Sequence, residues 1–262
     1  MANINFERTY PISKAYESIK ERANHLLGKY WEFPNLITFN DAERSVTFTT
    51  EKLVPIPSTN RHRVMLLFSN PHPHSVHQGM FLSPNTRGRE NLFWPVMKDA
   101  GWLCIPEENC NPKQLADICV EAKYQGPFEF IFYCYYAFPT NYPEDIKKIF
   151  GREYFSQFIE PESKDEFRET IQDTSVEAVV TFNKGIFNLV SKDPIARYIE
   201  RLVDSELIQS QIMDIDRYVP IFLTFPTGWR YRKNYTELRK ASLEKIKRAI
   251  CSESNIPGRK NT

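Results

Sequence analysis

The chain has 262 residues, long enough to bury roughly 70–75% of its unfolded surface in one domain, and its 34 basic and 33 acidic side chains leave a net charge of +1. This total hides an asymmetry: residues 226–262 carry ten basic and three acidic side chains (+7), and the first 225 residues carry the remaining 24 basic and 30 acidic ones (−6), so the basic end suggests a phosphate-bearing partner. The sequence has no G-x-G-x-x-G or G-x-x-x-x-G-K-[ST] loop, no apolar run near the roughly 18 residues of a membrane helix and no C-x-x-C pair, so we expect no nucleotide cofactor, no membrane partner and no structural metal.

The first 60 residues are predicted to form an appendage that consists of one helix and one hairpin. Apolar residues at helical spacing predict the helix over residues 12–30. Two short strands are predicted over residues 36–39 and 45–49, on either side of a turn at Asn40 and Asp41.

Four short apolar runs predict the strands of the core, at residues 64–68, 128–134, 178–182 and 219–225. Such runs without alternation are typical of strands that are buried on both faces of a parallel sheet. Helices are predicted between and after them, at residues 91–100, 112–123, 142–150, 167–171, 183–201 and 234–250, and residues 160–173 are predicted to be a solvated helix or loop. This alternation predicts an α/β fold: a three-layer α/β/α sandwich around a four-stranded, mainly parallel sheet, in one domain (residues 1–262) with its core at residues 61–250.

Two loops follow predicted strands at their carboxyl ends, where ligands bind in sheets of this kind. The first loop, residues 70–90, shows no obvious helix, and a loop longer than roughly 15 residues in a compact domain is usually functional or disordered. It begins with Asn70 and Pro71, and the amide of Asn70 either orients a water or substrate or makes ordinary turn hydrogen bonds. The second loop, residues 226–233, begins the basic end of the chain.

The first loop and the helix after it carry motifs in a fixed order: Asn70-Pro71 at a strand end, then Phe81, then Asn91-x-Phe93-Trp94, then Ala100-Gly101. This arrangement resembles the uracil-DNA glycosylase superfamily and within it the mismatch-specific branch. A weaker likeness covers Asn183-Lys184-Gly185 and the segment Phe225-Pro226-Thr227-Gly228, which stands in place of the superfamily's second catalytic motif, [HN]-P-S-[GP]. As a whole the resemblance spans residues 64–250.

The resemblance implies a uracil-DNA glycosylase-like fold and an enzyme that flips a base out of DNA, because the glycosidic carbon of a stacked base is inaccessible. Asn70 would position the water that attacks C1′, Thr227 would belong to the second catalytic motif, and Phe81 would stack on the flipped base. Further contacts with the base are implied for four residues: Ser69, Pro71, Asn91 and Phe225.

The second loop would press into the duplex where the base leaves the stack. Trp229 is the candidate wedge, because an apolar side chain that fills the gap offsets the cost of flipping. Arg230, Arg232 and Lys233 would contact the flanking phosphates. The alternatives are that Trp229 is a core or lid aromatic residue and that the basic residues up to Arg248 form a solvated helix face.

Two positions depart from the superfamily's pattern. Phe68 stands where a glycine is usual, two residues before the catalytic asparagine, and would crowd or reshape the pocket. Phe225 stands where a histidine or asparagine stabilises the anionic leaving base by hydrogen bonding, which a phenyl ring cannot do. After the second core strand, the nearest asparagine that could read a uracil edge is Asn141, which lies within a turn.

The first loop also contains three histidines. His72, His74 and His77, with His62 nearby, offer nitrogen ligands, but no carboxylate or cysteine completes a familiar set, so no metal is predicted. We instead predict that one of these histidines lines the base pocket or contacts phosphate. The alternative is that His72 or His74 supplies electrostatic help to the leaving base, with His72 as the catalytic candidate.

These patterns predict a DNA N-glycosylase for a deaminated or damaged base of the uracil type, a monomer that acts on duplex or single-stranded DNA without a cofactor. One alternative is a catalytically impaired nucleic-acid-binding protein of the same fold, which Phe68 and Phe225 favour. Another is a protein that binds free nucleobases or nucleotides. Five cysteines without metal spacing and a polar N-terminus without a signal-peptide core predict a cytoplasmic or nucleoid-associated protein.

Overall fold

A computed structural model of the chain describes residues 4–28, 34–56, 59–84, 88–106, 110–227 and 234–253. Within these residues eight strands form one sheet: β1 (Asn5–Pro11), β2 (Ile37–Asn40), β3 (Ser45–Leu53), β4 (His62–Phe68), β5 (Phe128–Cys134), β6 (Ala178–Thr181), β7 (Ile208–Gln211) and β8 (Pro220–Leu223). The strand order is β1-β3-β5-β4-β6-β8-β7, and β2 pairs with β3 outside this path.

The four central strands, β5, β4, β6 and β8, are parallel to one another. They coincide with the four predicted core strands, which are thereby confirmed. All seven residues of β5 and all four of β6 and of β8 are buried. This burial explains the unbroken apolar runs, because helices cover both faces of a parallel sheet.

The prediction of a four-stranded sheet is wrong, because four further strands flank the parallel centre. β3 pairs antiparallel with β5, so the N-terminal residues, predicted as an appendage, extend the central sheet. At the opposite edge β7 pairs antiparallel with β8. Buried and half-buried residues alternate along β7, which is the pattern of a strand that is covered on one face. Continuous apolar runs in the sequence mark only the strands that are buried on both faces.

The helices fill the connections between strands. They are α1 (Tyr16–Leu27), α2 (Pro73–Gln78), α3 (Phe93–Asp99), α4 (Pro112–Val120), α5 (Pro143–Phe150), α6 (Arg152–Tyr154), α7 (Glu160–Asp173), α8 (Lys184–Val190), α9 (Ile199–Val203) and α10 (Tyr235–Glu253). Short 3-10 turns at Ser13–Ala15 and Pro34–Leu36 precede α1 and β2, and a π-helical turn at Phe155–Ile159 joins α6 to α7. Among the described helices, none combines the length and the apolar character that crossing a membrane requires.

The helices lie on both faces of the sheet and divide the core into two clusters. One face packs against α1, α5, α7, α8 and α9. The other packs against α3, α4 and α10, together with the segment that contains Met80 and Phe81. The layered α/β arrangement is therefore as predicted, and the second face carries the predicted site.

Three helical predictions need correction or refinement. The segment 183–201 is two helices, because residues after α8 pair in a β-bridge at Ser191 and Pro194 cannot continue a helical ladder. The segment 160–173 is a helix, with Phe167 and Ile171 buried against the sheet. The prediction that the first loop contains no helix is wrong, because α2 lies within it. This helix has a proline at its first position and ends at Gly79, which has a left-handed φ of 76°.

Candidate functional site

A cavity of 460 Å³ opens at the carboxyl ends of the four parallel strands. This volume lies in the range of roughly 300–1,000 Å³ that is typical of small-molecule sites. Residues at or just after the ends of β4, β5, β6 and β8 line it, together with residues of α2 and one residue of β3. The cavity is therefore built where the crevice of an open α/β sheet places a ligand.

Asn70 lies in this cavity with its side-chain amide held in one orientation. Nδ2 is 2.7 Å from the carbonyl oxygen of Thr140, 3.0 Å from Thr140 Oγ1 and 3.2 Å from the carbonyl oxygen of Pro71. Carbonyl oxygens only accept hydrogen bonds, so the amide nitrogen must face them. Oδ1 accepts a hydrogen bond of 3.0 Å from the hydroxyl of Ser69 and keeps a second lone pair. Asn70 therefore presents an oriented acceptor at a cavity wall.

Thr140 holds the Asn70 amide in place, and no sequence motif marks this residue. Its side chain is fully buried and its hydroxyl donates to the carbonyl oxygen of Tyr142 at 2.9 Å. Its backbone amide donates to the carbonyl oxygen of Pro71 at 3.1 Å. The segment after β5 is thus tied to the segment after β4 on both sides of the Asn70 amide.

Aromatic rings form the inner wall of the cavity. Phe68 stacks on Phe182 with a centroid distance of 5.5 Å and an interplanar angle of 7°. Phe81 lies 5.8 Å from Phe68 and 5.5 Å from Phe132. Phe81 is only 2% exposed, whereas Phe68 is 9% exposed. The phenyl ring at position 68 therefore covers much of the predicted stacking residue and is itself the more accessible of the two rings.

His72 lies at the N-cap of α2 and lines the cavity. Its Nδ1 accepts a hydrogen bond of 3.3 Å from the backbone amide of His74, so in the neutral ring the proton is on Nε2. The side chain is exposed by surface area, yet the surrounding protein removes enough water that burial, and then the charge of His74, lowers the pKa of His72 below its ordinary value. At neutral pH His72 is thus an uncharged hydrogen-bond donor.

The other asparagines and Ser69 have mixed placements. Ser69 and Asn91 line the cavity, and Asn91 Oδ1 accepts a hydrogen bond of 3.0 Å from the backbone amide of Phe93, the first residue of α3. Asn141, the asparagine within the predicted turn after the second core strand, also lines the cavity and is half-buried. Pro71 is buried and contributes its carbonyl oxygen to the Asn70 amide.

The turn after β8 brings Thr227 to the cavity but not Phe225. Pro226 and Thr227 line the cavity, whereas Phe225 is fully buried in the core cluster on the opposite face of the sheet. The structure therefore does not place the Phe225 ring among the lining residues predicted to contact a base. Alternation along an extended segment explains this, because neighbouring side chains point to opposite faces.

Arg239 of α10 holds this turn. Its guanidinium is 2% exposed and donates to the carbonyl oxygens of Pro226 and Thr227, the latter at 3.1 Å. It also lies 5.6 Å from the ring centroid of Tyr235. A residue counted in the basic end of the chain is thus a buried support of the cavity wall.

We expect Arg239→Met to lower the free energy of unfolding by about 2 kcal/mol, because two buried carbonyl groups lose a charged donor while the apolar stem is kept. Urea unfolding measures this difference. Arg248→Met on the same helix is the control: Arg248 is exposed and its change should stay within about 0.5 kcal/mol. Equal effects of the two substitutions would show that Arg239 does not support the turn.

Glu51 and Cys134 line the cavity from β3 and β5 and were not predicted. Glu51 is 3% exposed, and its Oε2 has no hydrogen-bond partner among the described residues. Burial raises the pKa of Glu51 well above its ordinary value. The pKa of Cys134 is also raised well above its ordinary value, first by burial and then by the charge of Glu51. Sequence alternation offered a signal, because Glu51 shares a strand face with Leu53, but the predicted strand ended at residue 49.

The four histidines in and near the first loop do not come together in the structure. His62 is at the start of β4, where its Nδ1 lies 3.0 Å from Glu177 Oε2, at the sheet end opposite the cavity. His72 and His74 line the cavity, and His77 does not. In the part of the chain that the structure describes, no group of three or more histidine, cysteine or acidic side chains could hold a metal ion.

Several basic side chains of α10 donate hydrogen bonds to backbone carbonyl oxygens of other segments of the chain. Lys245 donates to the carbonyl oxygen of Ser205, and Lys247 donates to that of Ala100 at 2.7 Å. The predicted DNA-contacting residues, Trp229, Arg230, Arg232 and Lys233, lie outside the described residues.

A second cavity of 650 Å³ lies beside α3 and α4 and contains none of the residues predicted to be catalytic or to contact a base. Its lining residues Pro84, Gly88 and Cys110 border segments outside the described residues. We assign no role to this cavity.

Comparison with known proteins adds no family to these observations. No family model matches the chain, and no curated protein matches it. The resemblance to uracil-DNA glycosylases therefore rests on the sequence motifs.

Proposed function

We propose that the protein is a DNA glycosylase of the uracil-DNA glycosylase type, which flips a deaminated or damaged base into the cavity at the strand ends and hydrolyses its N-glycosidic bond. The observation that carries the proposal is Asn70, whose Oδ1 is held towards the cavity by the donor bonds of Nδ2 to Thr140 and Pro71. An oriented carbonyl-type oxygen at a strand end is suited to hold a water molecule in one position.

The chemistry of the lining residues fits a neutral, aromatic ligand better than a phosphate. Phe68, Phe81 and Phe182 form an apolar wall, and four asparagines also line the cavity: Asn70, Asn91, Asn141 and Asn183. Among the described lining residues there is no lysine or arginine. A base in the cavity with its sugar-phosphate backbone outside satisfies both conditions, because phosphate binding requires cationic or amide donors.

Asn70 would act by position rather than by taking a proton, since an amide is not a base at neutral pH. A water that donates to Oδ1 presents its lone pairs to C1′ while the sugar develops positive charge. The neutral His72, with its proton on Nε2, would donate a hydrogen bond to the departing base and stabilise its negative charge. This assigns to His72 the stabilisation that the buried Phe225 cannot provide.

We expect Thr140→Val to lower kcat for base release about fivefold with little change in KM, because one hydrogen bond that orients Asn70 is lost, worth about 1 kcal/mol. Thr140→Ser keeps the hydroxyl and should keep most of the activity. Single-turnover kinetics on a uracil-containing oligonucleotide measure both variants. A Thr140→Val variant with the wild-type kcat would remove Thr140 from the role of a positioning residue.

The wild-type protein tests the proposal directly. Labelled duplex and single-stranded oligonucleotides that contain uracil, hypoxanthine or xanthine are incubated with the protein, and abasic sites are then cleaved with alkali. Strand breaks at the modified base are expected. Salt-dependent binding without strand breaks would overturn the enzyme proposal and support a nucleic-acid-binding protein. An absence of both strand breaks and binding would overturn any role on DNA.

A nucleic-acid-binding protein without catalytic activity is the second candidate function, and the positions of Phe225 and Phe68 favour it. Phe225 is buried away from the cavity and Phe68 covers part of Phe81, so two groups that the superfamily's chemistry uses are replaced or hidden. The site residues Asn70 and Thr227 nevertheless line one cavity, which favours the enzyme.

A further inference from the structure

The cavity contains one carboxyl group that the mechanism above does not use. Glu51 is in β3, one of the antiparallel strands outside the parallel centre. The pairs Lys52↔Tyr133 and Leu53↔Phe132 set the register between β3 and β5, and this register brings Glu51 beside Cys134 at the end of β5. Both residues line the cavity that Asn70 and Asn141 line.

The Glu51 carboxyl has no structural role among the described residues. Its Oε2 lies in the interior without a hydrogen-bond partner, although burying an unpartnered polar group costs free energy. The other buried glutamate, Glu129, also has one buried oxygen without a partner, Oε1, but its Oε2 lies 3.1 Å from Arg63 Nη2 at the opposite end of the sheet. Glu129 is therefore paired with a cation, and Glu51 is not. A buried carboxyl oxygen that lies in a cavity wall and has no partner in the described protein is available to bind a ligand.

We infer that Glu51 is the general acid of the proposed glycosylase and donates its carboxyl proton to the departing base. This inference rests on the proposed function and adds a catalytic residue to it.

The charge environment keeps Glu51 in the form that this role needs. The other titratable groups that line the cavity are His72 and His74 of α2 and Cys134 of β5, and none of the described lining residues is a lysine or arginine. The pKa of His72 is lowered, so it is uncharged at neutral pH and does not favour a carboxylate. Burial raises the pKa of Glu51 well above its ordinary value, which favours the protonated carboxyl.

The proposed step balances in atoms and electrons. The oxygen of the water held by Asn70 forms a bond to C1′ while the C1′–N bond breaks and its electron pair passes to the base. The base takes the proton from Glu51. The proton lost by the water passes to solvent, and the Glu51 carboxylate takes one proton from solvent before the next turnover. Each cycle therefore consumes one water and releases a neutral base and an abasic sugar.

The test compares leaving groups of different acidity. Oligonucleotides with uracil and with 5-fluorouracil are used, because fluorine stabilises the departing anion and reduces the need for a general acid. We expect Glu51→Gln to slow the release of uracil about 100-fold, within the range for general acid catalysis, and the release of 5-fluorouracil less than about tenfold. The fall of the wild-type rate at alkaline pH should also disappear in Glu51→Gln.

Glu129→Gln is the matched control, since it removes a buried carboxyl outside the cavity and should leave the ratio of the two rates unchanged. Glu51→Ala is the second variant: it leaves a space beside the cavity, and formate should restore part of its uracil release at acidic pH. Thermal unfolding of each variant shows that it is folded.

The outcomes separate the two proposals. Equal losses on uracil and 5-fluorouracil, or no loss, in folded Glu51→Gln would remove Glu51 from the chemistry while leaving the glycosylase intact. No release of either base by the wild-type protein would overturn the glycosylase, and the role of Glu51 with it.

Discussion

Replacing Asn70 with alanine is expected to reduce base release about 10²–10³-fold, the effect of removing one preorganised polar group from a reaction centre. The substitution removes Oδ1, the acceptor that faces the cavity, and leaves the attacking water without a fixed position. Binding of the oligonucleotide should change little, because the aromatic wall of the cavity remains. Alkali cleavage after single-turnover reactions measures the rate, and fluorescence anisotropy measures binding.

The control for Asn70→Ala is a second asparagine whose amide has a purely structural role. Asn111 caps α4 in a capping box with Gln114, with both hydrogen bonds at 3.0 Å, and lies outside the cavity. Asn111→Ala should lower the free energy of unfolding by about 1 kcal/mol and leave base release unchanged. If Asn70→Ala keeps the wild-type rate, or if Asn111→Ala loses as much activity, Asn70 does not hold the water.

Parallel strands could be predicted because burial on both faces leaves an unbroken apolar run in the sequence. β5, with seven buried residues, and β4 are of this kind. β1 is mostly exposed or half-buried and contains charged and polar residues, and β7 is covered on one face and contains three polar residues, so no apolar run marks either strand. The pairing of β3 with β5 depends on contacts between residues far apart in the chain, and local patterns do not encode it.

The candidate site divides in the same way. Asn70 and Thr227 follow strand ends and could be placed from the chain direction alone, and the structure brings them to one cavity. Thr140 and Glu51 reach that cavity through tertiary contacts, and neither belongs to a recognisable motif. Sequence motifs therefore do not reveal the residue that orients Asn70 or the residue inferred to protonate the departing base.

Glu51→Gln is expected to make the protein more stable than the wild type at neutral and alkaline pH. Burial raises the pKa of Glu51 in the folded state, whereas an unfolded glutamate titrates at its ordinary pKa of about 4.3. Below that pH both states are protonated and the carboxyl does not oppose folding. As the pH rises from there towards the folded-state pKa, the folded protein must keep a proton that the unfolded chain releases, so wild-type stability falls by about 1.4 kcal/mol per pH unit relative to the variant.

The shape of the pH dependence distinguishes an unpaired carboxyl from a paired one. The stability gain of Glu51→Gln, measured by urea unfolding, should be near zero at pH 4, grow with pH and become constant above the folded-state pKa. Glu129→Gln should behave in the opposite sense and lose about 3 kcal/mol at neutral pH, because it leaves Arg63 without its carboxylate. A Glu51→Gln variant that is less stable than the wild type at pH 7 would mean that Glu51 is ionised and paired in the folded protein. In that case it would have no proton to donate, and the same measurement would exclude it as a general acid.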